Sequence, residues 1–363
     1  MECNLACDYC YIRKRIARMD LAMAEQVLDF IASRALPAED VDIGFFGGEP
    51  LLALPLVLDI VRMARAHRLA EGRELRFQLV SNGTLADGES IRTLATAGVE
   101  FGISCDGIPA VQNAHRRYRD GRASAADVEK AITSAMGEFP YVMVNAVYGP
   151  DTIRWLPDTV SYLYGLGVRN IFLNADYAAP WRAADLEVMR VSYAAIADLY
   201  EKYHVSGDPA RISLIDAKII VLLNGGYAPH ERCAMGRREF AFGPEGNIYP
   251  CERLAGDCLS SENLIGRLGE NKVVISTCHG AEDGTTSPCS ECAASDYCMH
   301  WCGCSNYFAT GSCNRPGAFL CASEKESLRL AAETFERLSS EIGPSFINRL
   351  GSGRECALAR SNK

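Results

Sequence analysis

Three cysteines open the chain at a spacing that suits metal chemistry: Cys3-Asn-Leu-Ala-Cys7-Asp-Tyr-Cys10, or C-x3-C-x2-C. Thiolates are the usual ligands of a four-iron cubane, and three of them leave one iron open to a small chelating molecule. A closed structural zinc site takes four ligands, usually as paired C-x2-C units, and the triplet lacks the fourth. An accidental match is the remaining reading; with 16 cysteines in 363 residues it is expected about three times in a hundred.

A second group of cysteines lies far downstream. Cys233, Gly246 and Cys251 form C-x12-G-x4-C; Cys289, Cys292, Cys298 and Cys302 form C-x2-C-x5-C-x3-C; Cys321 follows after eighteen intervening residues. A zinc ribbon over Cys289–Cys302 is the competing reading. Most of the cysteines fall between Cys233 and Cys321, in a chain that shows no export signal. Thiols grouped this way read as metal ligands in a reducing compartment rather than as disulfides. Cys105 and Cys356 stand apart and read as ordinary buried or tail thiols.

Between the two groups, strand and helix signals alternate. Apolar strands are expected at Val41–Phe46, Glu74–Val80, Val99–Cys105, Tyr141–Tyr148 and Arg169–Asn174. Helical stretches are expected at Leu51–Leu69, Asp87–Ala97, Ser124–Met136 and Ile153–Leu166. The loops at the strand ends carry the polar residues: Gly47-Gly48-Glu49-Pro50, Ser81-Asn82-Gly83-Thr84 and Ser104-Cys105-Asp106-Gly107. Such alternation implies crossover connections and a parallel sheet that curls into a partial α/β barrel, with functional loops at the C-terminal strand ends. After Asp185 the pattern is helical only, at Asp185–His204 and Ile212–Leu223. From His230 to Cys321 periodicity fades, and such a segment needs metal to fold. A last helix carries Leu328, Ala331, Phe335, Leu338 and Ile342 on one face. The expected domains are a barrel over 1–185, a helical linker over 186–229, a cluster domain over 230–321 and a helix with its tail over 322–363.

The net charge of −9 and a pI near 5.3 argue against a nucleic-acid partner, which would need a basic surface. No apolar run approaches the roughly 20 residues of a membrane helix, so no membrane partner is expected and the location is read as cytoplasmic.

The triplet followed by the GGEP turn resembles the radical S-adenosylmethionine (SAM) superfamily. The downstream cysteines resemble the SPASM domain, with its two auxiliary iron–sulfur clusters. That resemblance implies that Cys3, Cys7 and Cys10 ligate a catalytic [4Fe–4S] cluster whose open iron chelates SAM. It implies that Gly47, Gly48, Glu49 and Pro50 contact the cofactor's methionyl amino group. Ser81, Asn82, Ser104 and Asp106 would line the cofactor and substrate cavity, where a simple capping role is the alternative. Of two auxiliary [4Fe–4S] clusters, the first would be held by Cys233, Cys251 and Cys302, the second by Cys289, Cys292, Cys298 and Cys321. The chain has no further cysteine between Cys233 and Gly246, so the first cluster either keeps an open iron or recruits Cys258 or Cys304. Cys313 competes with Cys321, and Cys278 has no assignment. Only Met1 and Glu2 precede Cys3, so either the barrel lacks its first strand or this start lies downstream of the true one.

The resemblance implies one-electron cleavage of SAM to a 5′-deoxyadenosyl radical that abstracts a substrate hydrogen, with flavodoxin or ferredoxin as reductant. SPASM domains occur on enzymes that modify peptides and proteins. Tyr249-Pro250-Cys251-Glu252-Arg253-Leu254 looks more like ribosomal-peptide maturases, which crosslink side chains. Anaerobic sulfatase maturases, which make formylglycine, tend to carry Asp after that cysteine and are the alternative. An electron-transfer protein is the alternative of another class, but a carrier has no use for a three-ligand loop followed by a GGEP turn.

Overall fold

The computed structural model describes residues 1–256, 258–259, 261–270 and 289–351. In chain order, helix α1 (Leu21–Ala32) precedes strand β1 (Val41–Phe45), α2 (Leu54–Ala66), β2 (Leu75–Ser81), α3 (Gly88–Thr96) and β3 (Val99–Ser104). Then come α4 (Pro109–His115), α5 (Ala125–Met136), β4 (Met143–Tyr148), α6 (Leu156–Gly165), β5 (Asn170–Ala175), α7 (Ala183–Val205), β6 (Arg211–Ile212) and α8 (Ser213–Leu223). Short strands β7 (Ala241–Phe242), β8 (Asn247–Tyr249) and β9 (Gly266–Arg267) follow, and α9 (Gly303–Thr310), α10 (Ala318–Glu341) and α11 (Pro344–Gly351) end the described chain.

All five expected strands form, each within two residues of its expected ends, because each is an apolar run between amphipathic helices. Four differences have local causes. Helix α1 was not expected; Asp20 caps it by accepting a hydrogen bond from the Met23 N–H at 2.7 Å. The stretch Leu51–Leu69 is broken after Ala66, where His67 turns extended and its Nδ1 accepts the Leu69 N–H at 3.1 Å. Beyond Asp185 the chain is not helical only: the two residues of β6 pair with β5. Helix α10 begins at Ala318, ahead of the expected apolar face at Leu328.

The chain forms two compact units. The first comprises Met1–Ser104, Asn113–Val142 and the described part of Ala234–Gly280. Here β1, β2 and β3 run parallel, with Val41 opposite Leu75 and Phe77 opposite Val99. Phe77, Leu79, Phe101 and Ile103 are buried, at roughly 1.5–3 kcal/mol for each side chain removed from water. The segment expected to lack regular structure contributes β7, β8 and β9, an antiparallel sheet whose strands are too short to show periodicity.

The second unit comprises Cys105–Gln112, Met143–Cys233 and the described part of Ala281–Lys363. Its parallel strands β4, β5 and β6 carry α7, α8 and α10, which pack together, with α10 running 24 residues. Lys218 on α8 and Glu324 on α10 form a buried ion pair at 2.6 Å, and Glu324 Oε2 also accepts the Met299 N–H at 2.7 Å.

Candidate active site

In the first unit, the cysteine triplet lies on a loop held from below by residues 115–119. Leu5, fully buried, forms an antiparallel bridge with Tyr118, and the Ala6 N–H donates to the Arg117 carbonyl at 2.7 Å. Asp8 pairs with His115 Nδ1 at 2.9 Å, and the Arg116 guanidinium lies 5.3 Å from the centre of the Tyr9 ring. The Cys10 N–H reaches back to the Cys7 carbonyl at 3.4 Å, which folds the loop between its second and third thiols. Cys3, Cys7 and Cys10 are not joined in disulfides, and burial pushes the Cys3 thiol pKa up.

The GGEP turn locks onto the same loop. The Glu49 N–H donates to the Glu2 carbonyl at 2.7 Å, and a Cβ at Gly48 would lie inside the contact radius of that carbonyl. Gly47 has φ +137°, a conformation glycine adopts without strain. Glu49, 3% exposed, turns its carboxylate inward. Its Oε1 accepts the Leu51 N–H at 3.0 Å and the Ser81 hydroxyl at 2.8 Å, while Oε2 accepts the Asn82 N–H at 2.8 Å. Burial raises the Glu49 carboxyl pKa, while these three donors pull it down. Pro50 opens the short 3-10 turn that Glu49 caps.

Asn82 carries the linkage to the thiols. Its Nδ2 lies 3.7 Å from Cys3 Sγ and 2.9 Å from Asn4 Oδ1. One carboxylate therefore ties the end of β1 to the end of β2, and one amide ties β2 to the cysteine loop. Sequence reasoning found these motifs separately and missed the bonds joining them, because partners 32 and 79 residues apart leave no local signal.

Ser104 is the last residue of β3. In the second unit, Asp106 is buried: its N–H donates to Gln112 Oε1 at 2.8 Å and its Oδ1 accepts the Val147 N–H at 2.9 Å. Gly107, at φ +123°, makes room for Thr159, whose hydroxyl donates to the Asp106 carbonyl at 3.1 Å.

Of the cysteines expected in the auxiliary sites, Cys251 lies in the first unit and Cys233, Cys289, Cys292, Cys298, Cys302 and Cys321 in the second. Cys251 is buried, its Sγ 3.4 Å from Glu252 Oε2, and Glu239 offers an oxygen to the same group. Cys258, also in the first unit, packs with Tyr249 and Ala255 in an apolar cluster. Cys302 Sγ lies 3.7 Å from Cys304 Sγ, and this contact, then burial, raises the Cys302 thiol pKa. Burial and the Glu324 carboxylate push the Cys298 thiol up to about 12. Cys321 occupies the first turn of α10 and is not in a disulfide, whereas Cys313 is disulfide-bonded. Cys278 and Cys356 lie outside the described residues.

Parallel strands end in polar loops, and a three-thiol loop is locked to a GGEP turn. Residues 2–163 match the Radical SAM superfamily, whose members use SAM and a [4Fe–4S] cluster. Along the chain, the serine-type anaerobic sulfatase-maturating enzyme of Klebsiella aerogenes is 24% identical over 323 residues, covering 83% of this chain and 76% of that one. In shape, the chain matches histidine-tagged anSMEcpe with bound AdoMet at TM-score 0.77 and 18% identity, covering 96% of this chain and 95% of that one. Native anSMEcpe has been solved with bound AdoMet and Kp18Cys peptide. Streptococcus suis SuiB bound to precursor peptide SuiA matches at TM-score 0.57 and 13% identity, over 88% and 74%. The expected α/β fold of radical SAM enzymes is thereby borne out. Among the described residues, no helix is long and apolar enough to cross a membrane.

Proposed function

We propose that this radical SAM enzyme modifies a side chain of a peptide or protein. The observation that carries this reading is the likeness, over nearly the whole chain, to a protein solved with a peptide bound. SAM and the cluster supply, when bound, the carbon radical that abstracts the substrate hydrogen. Cys3, Cys7 and Cys10 would hold that cluster; their donor set and the glycine-lined approach of Glu2 to the GGEP turn fit it. Glu49 Oε1 accepts two donors and Oε2 one, so Oε2 retains an acceptor position suited to an ammonium group. Ser81 and Asn82 shape the loop beside it, with Ser104 and Asp106 as the further cavity residues.

The downstream cysteines are read as a SPASM-type domain with two auxiliary clusters. Cys304 beside Cys302 supports it as the further ligand of the first, and Cys321, on the first turn of α10, is read as a ligand of the second. The cysteine content suits a reducing cytoplasm with flavodoxin or ferredoxin as electron donor.

Two substrate readings stand. Glu252, where sulfatase maturases tend to carry Asp, favours a ribosomal-peptide maturase that forms crosslinks. The coverage of anaerobic sulfatase-maturating enzymes in sequence and shape favours formylglycine formation. The test is anaerobic incubation of the reconstituted chain with SAM, dithionite and either a Cys- or Ser-containing sulfatase peptide or any short peptide found encoded beside its gene. Mass spectrometry is expected to find a crosslinked neighbour peptide. An aldehyde-reactive sulfatase peptide instead selects the second reading, and 5′-deoxyadenosine formation with neither peptide altered overturns both.

A further inference from the structure

The polar ring around Asn82 leaves its amide a single orientation. Asn82 Oδ1 accepts the Thr84 N–H at 3.0 Å and the Thr84 hydroxyl at 2.7 Å. Thr84 Oγ1 in turn accepts from Asn4 Nδ2 at 2.7 Å, which leaves Asn4 Oδ1 to accept from Asn82 Nδ2 at 2.9 Å. Every donor and acceptor in the ring then has one role, and exchanging the oxygen and nitrogen of Asn82 would set donor against donor at Thr84. The second amide hydrogen of Asn82 is therefore aimed at Cys3 Sγ, 3.7 Å away. The Glu49 carboxylate fixes the backbone of the same residue. Both partners are buried, Cys3 at 9% and Asn82 at 8% exposed, so water competes little for this sulfur.

We infer that Asn82 is a positioning residue that donates an N–H···S hydrogen bond to the Cys3 ligand and thereby raises the reduction potential of the catalytic cluster. The inference rests on the assignment of Cys3, Cys7 and Cys10 as cluster ligands. Its physical basis is general: a donor at a ligand sulfur stabilises the added negative charge of the reduced cluster, and hydrogen bonds to sulfurs are among the chief tuners of such potentials. The arrangement suits a cluster that must accept an electron inside a buried pocket.

The test is a redox titration of the anaerobically reconstituted full chain, followed by EPR on the signal that changes when SAM is added. That signal isolates the N-terminal cluster from the others. In Asn82→Ala the midpoint is expected to move to more negative potential. The reduced fraction at the wild-type midpoint should fall several-fold, with iron content unchanged. Asn82→Asp, which keeps the acceptor bonds from Thr84 and removes the donor, is expected to shift at least as far in the same direction. An unchanged midpoint with full iron overturns the inference alone. Loss of iron in both variants also overturns it, since Asn82 would then serve assembly rather than potential. A wild-type chain with no SAM-responsive signal overturns it together with the cluster assignment.

Discussion

The two cysteine-bearing regions are organised by different means. At the start of the chain, Cys3 sits among bonds that need no metal: the Leu5–Tyr118 bridge, the Glu2–Glu49 backbone contact and the Asn82 ring. From Cys289 to Cys302 the chain makes single turns, such as Cys292 N–H to the Cys289 carbonyl at 3.2 Å and Cys302 N–H to the Met299 carbonyl at 2.9 Å, and is tied to its unit at Asp296 and Met299, by the Tyr227 N–H at 2.8 Å and by Glu324 at 2.7 Å. Burial and Glu324 raise the Cys298 thiol, and the Cys304 thiol and burial raise that of Cys302, as burial raises Cys3 at the other end. On the proposed reading, the first region is a scaffold braced before any metal arrives, and the second would take more of its order from ligation.

The sharpest way to break that contrast is to remove ligands from each side. Replacing Cys3, Cys7 and Cys10 together with Ala is expected to abolish 5′-deoxyadenosine formation while the auxiliary iron and the fold persist. Cys292→Ala is expected to lose auxiliary iron and expose residues 230–321 to limited proteolysis. If the triple variant still cleaves SAM under dithionite, the catalytic assignment is wrong; a protease-resistant Cys292→Ala removes the contrast.

The next effect concerns the scaffold itself. In Gly48→Ala the new methyl group meets the Glu2 carbonyl, and the backbone leading into Cys3 must move. A displacement of about 1 Å is expected to lower turnover on the order of a hundredfold, with auxiliary iron unchanged. Turnover within a few-fold of wild type would show that the close approach is dispensable.

In the second unit, Glu324→Gln leaves Lys218 buried without its counter-charge and is expected to cost about 3–5 kcal/mol in a urea titration. The double change Lys218→Met with Glu324→Met should recover most of that loss. Equal losses in single and double variants would mean the pair contributes packing alone.

The smallest effect is a pH dependence. Burial raises the Asp216 carboxyl from 3.8 to about 6, although Tyr200 and the Ile212 N–H donate to it. A carboxyl raised on folding contributes stability that is full below its unfolded pKa and lost as pH rises through the folded one. The unfolding free energy from urea titration should therefore fall by roughly 3 kcal/mol between about pH 4 and pH 7, and this dependence should flatten in Asp216→Asn. A wild-type midpoint flat across that window would exclude a raised Asp216.

The strands from β1 to β5 were readable because each alternates with an amphipathic helix whose period differs. Strand β6, at Arg211–Ile212, has no period to read, and β7 to β9 are equally short. At the site, the motifs were visible as residue types and spacings, but their connections were not. Nothing near Glu49 announces Ser81, and nothing near Leu5 announces Tyr118, since those bonds depend on where strand ends meet in space. Glu49 was read as a contact to the cofactor, yet most of its hydrogen-bonding capacity goes to the protein.

The position of Cys321 on the first turn of α10 bears on the order of synthesis. The Glu49, Asn82 and Tyr118 contacts that brace Cys3 come early in the chain, although Arg13 and Arg15, just beyond the third thiol, bond the Gly256 carbonyl and Glu245, which are made much later. A site that needs Cys321 waits for a helix that is among the last segments to emerge. On the proposed ligand sets, iron delivered early would meet a largely assembled receptor at one end, while the later site would depend on its thiols being kept reduced until translation ends.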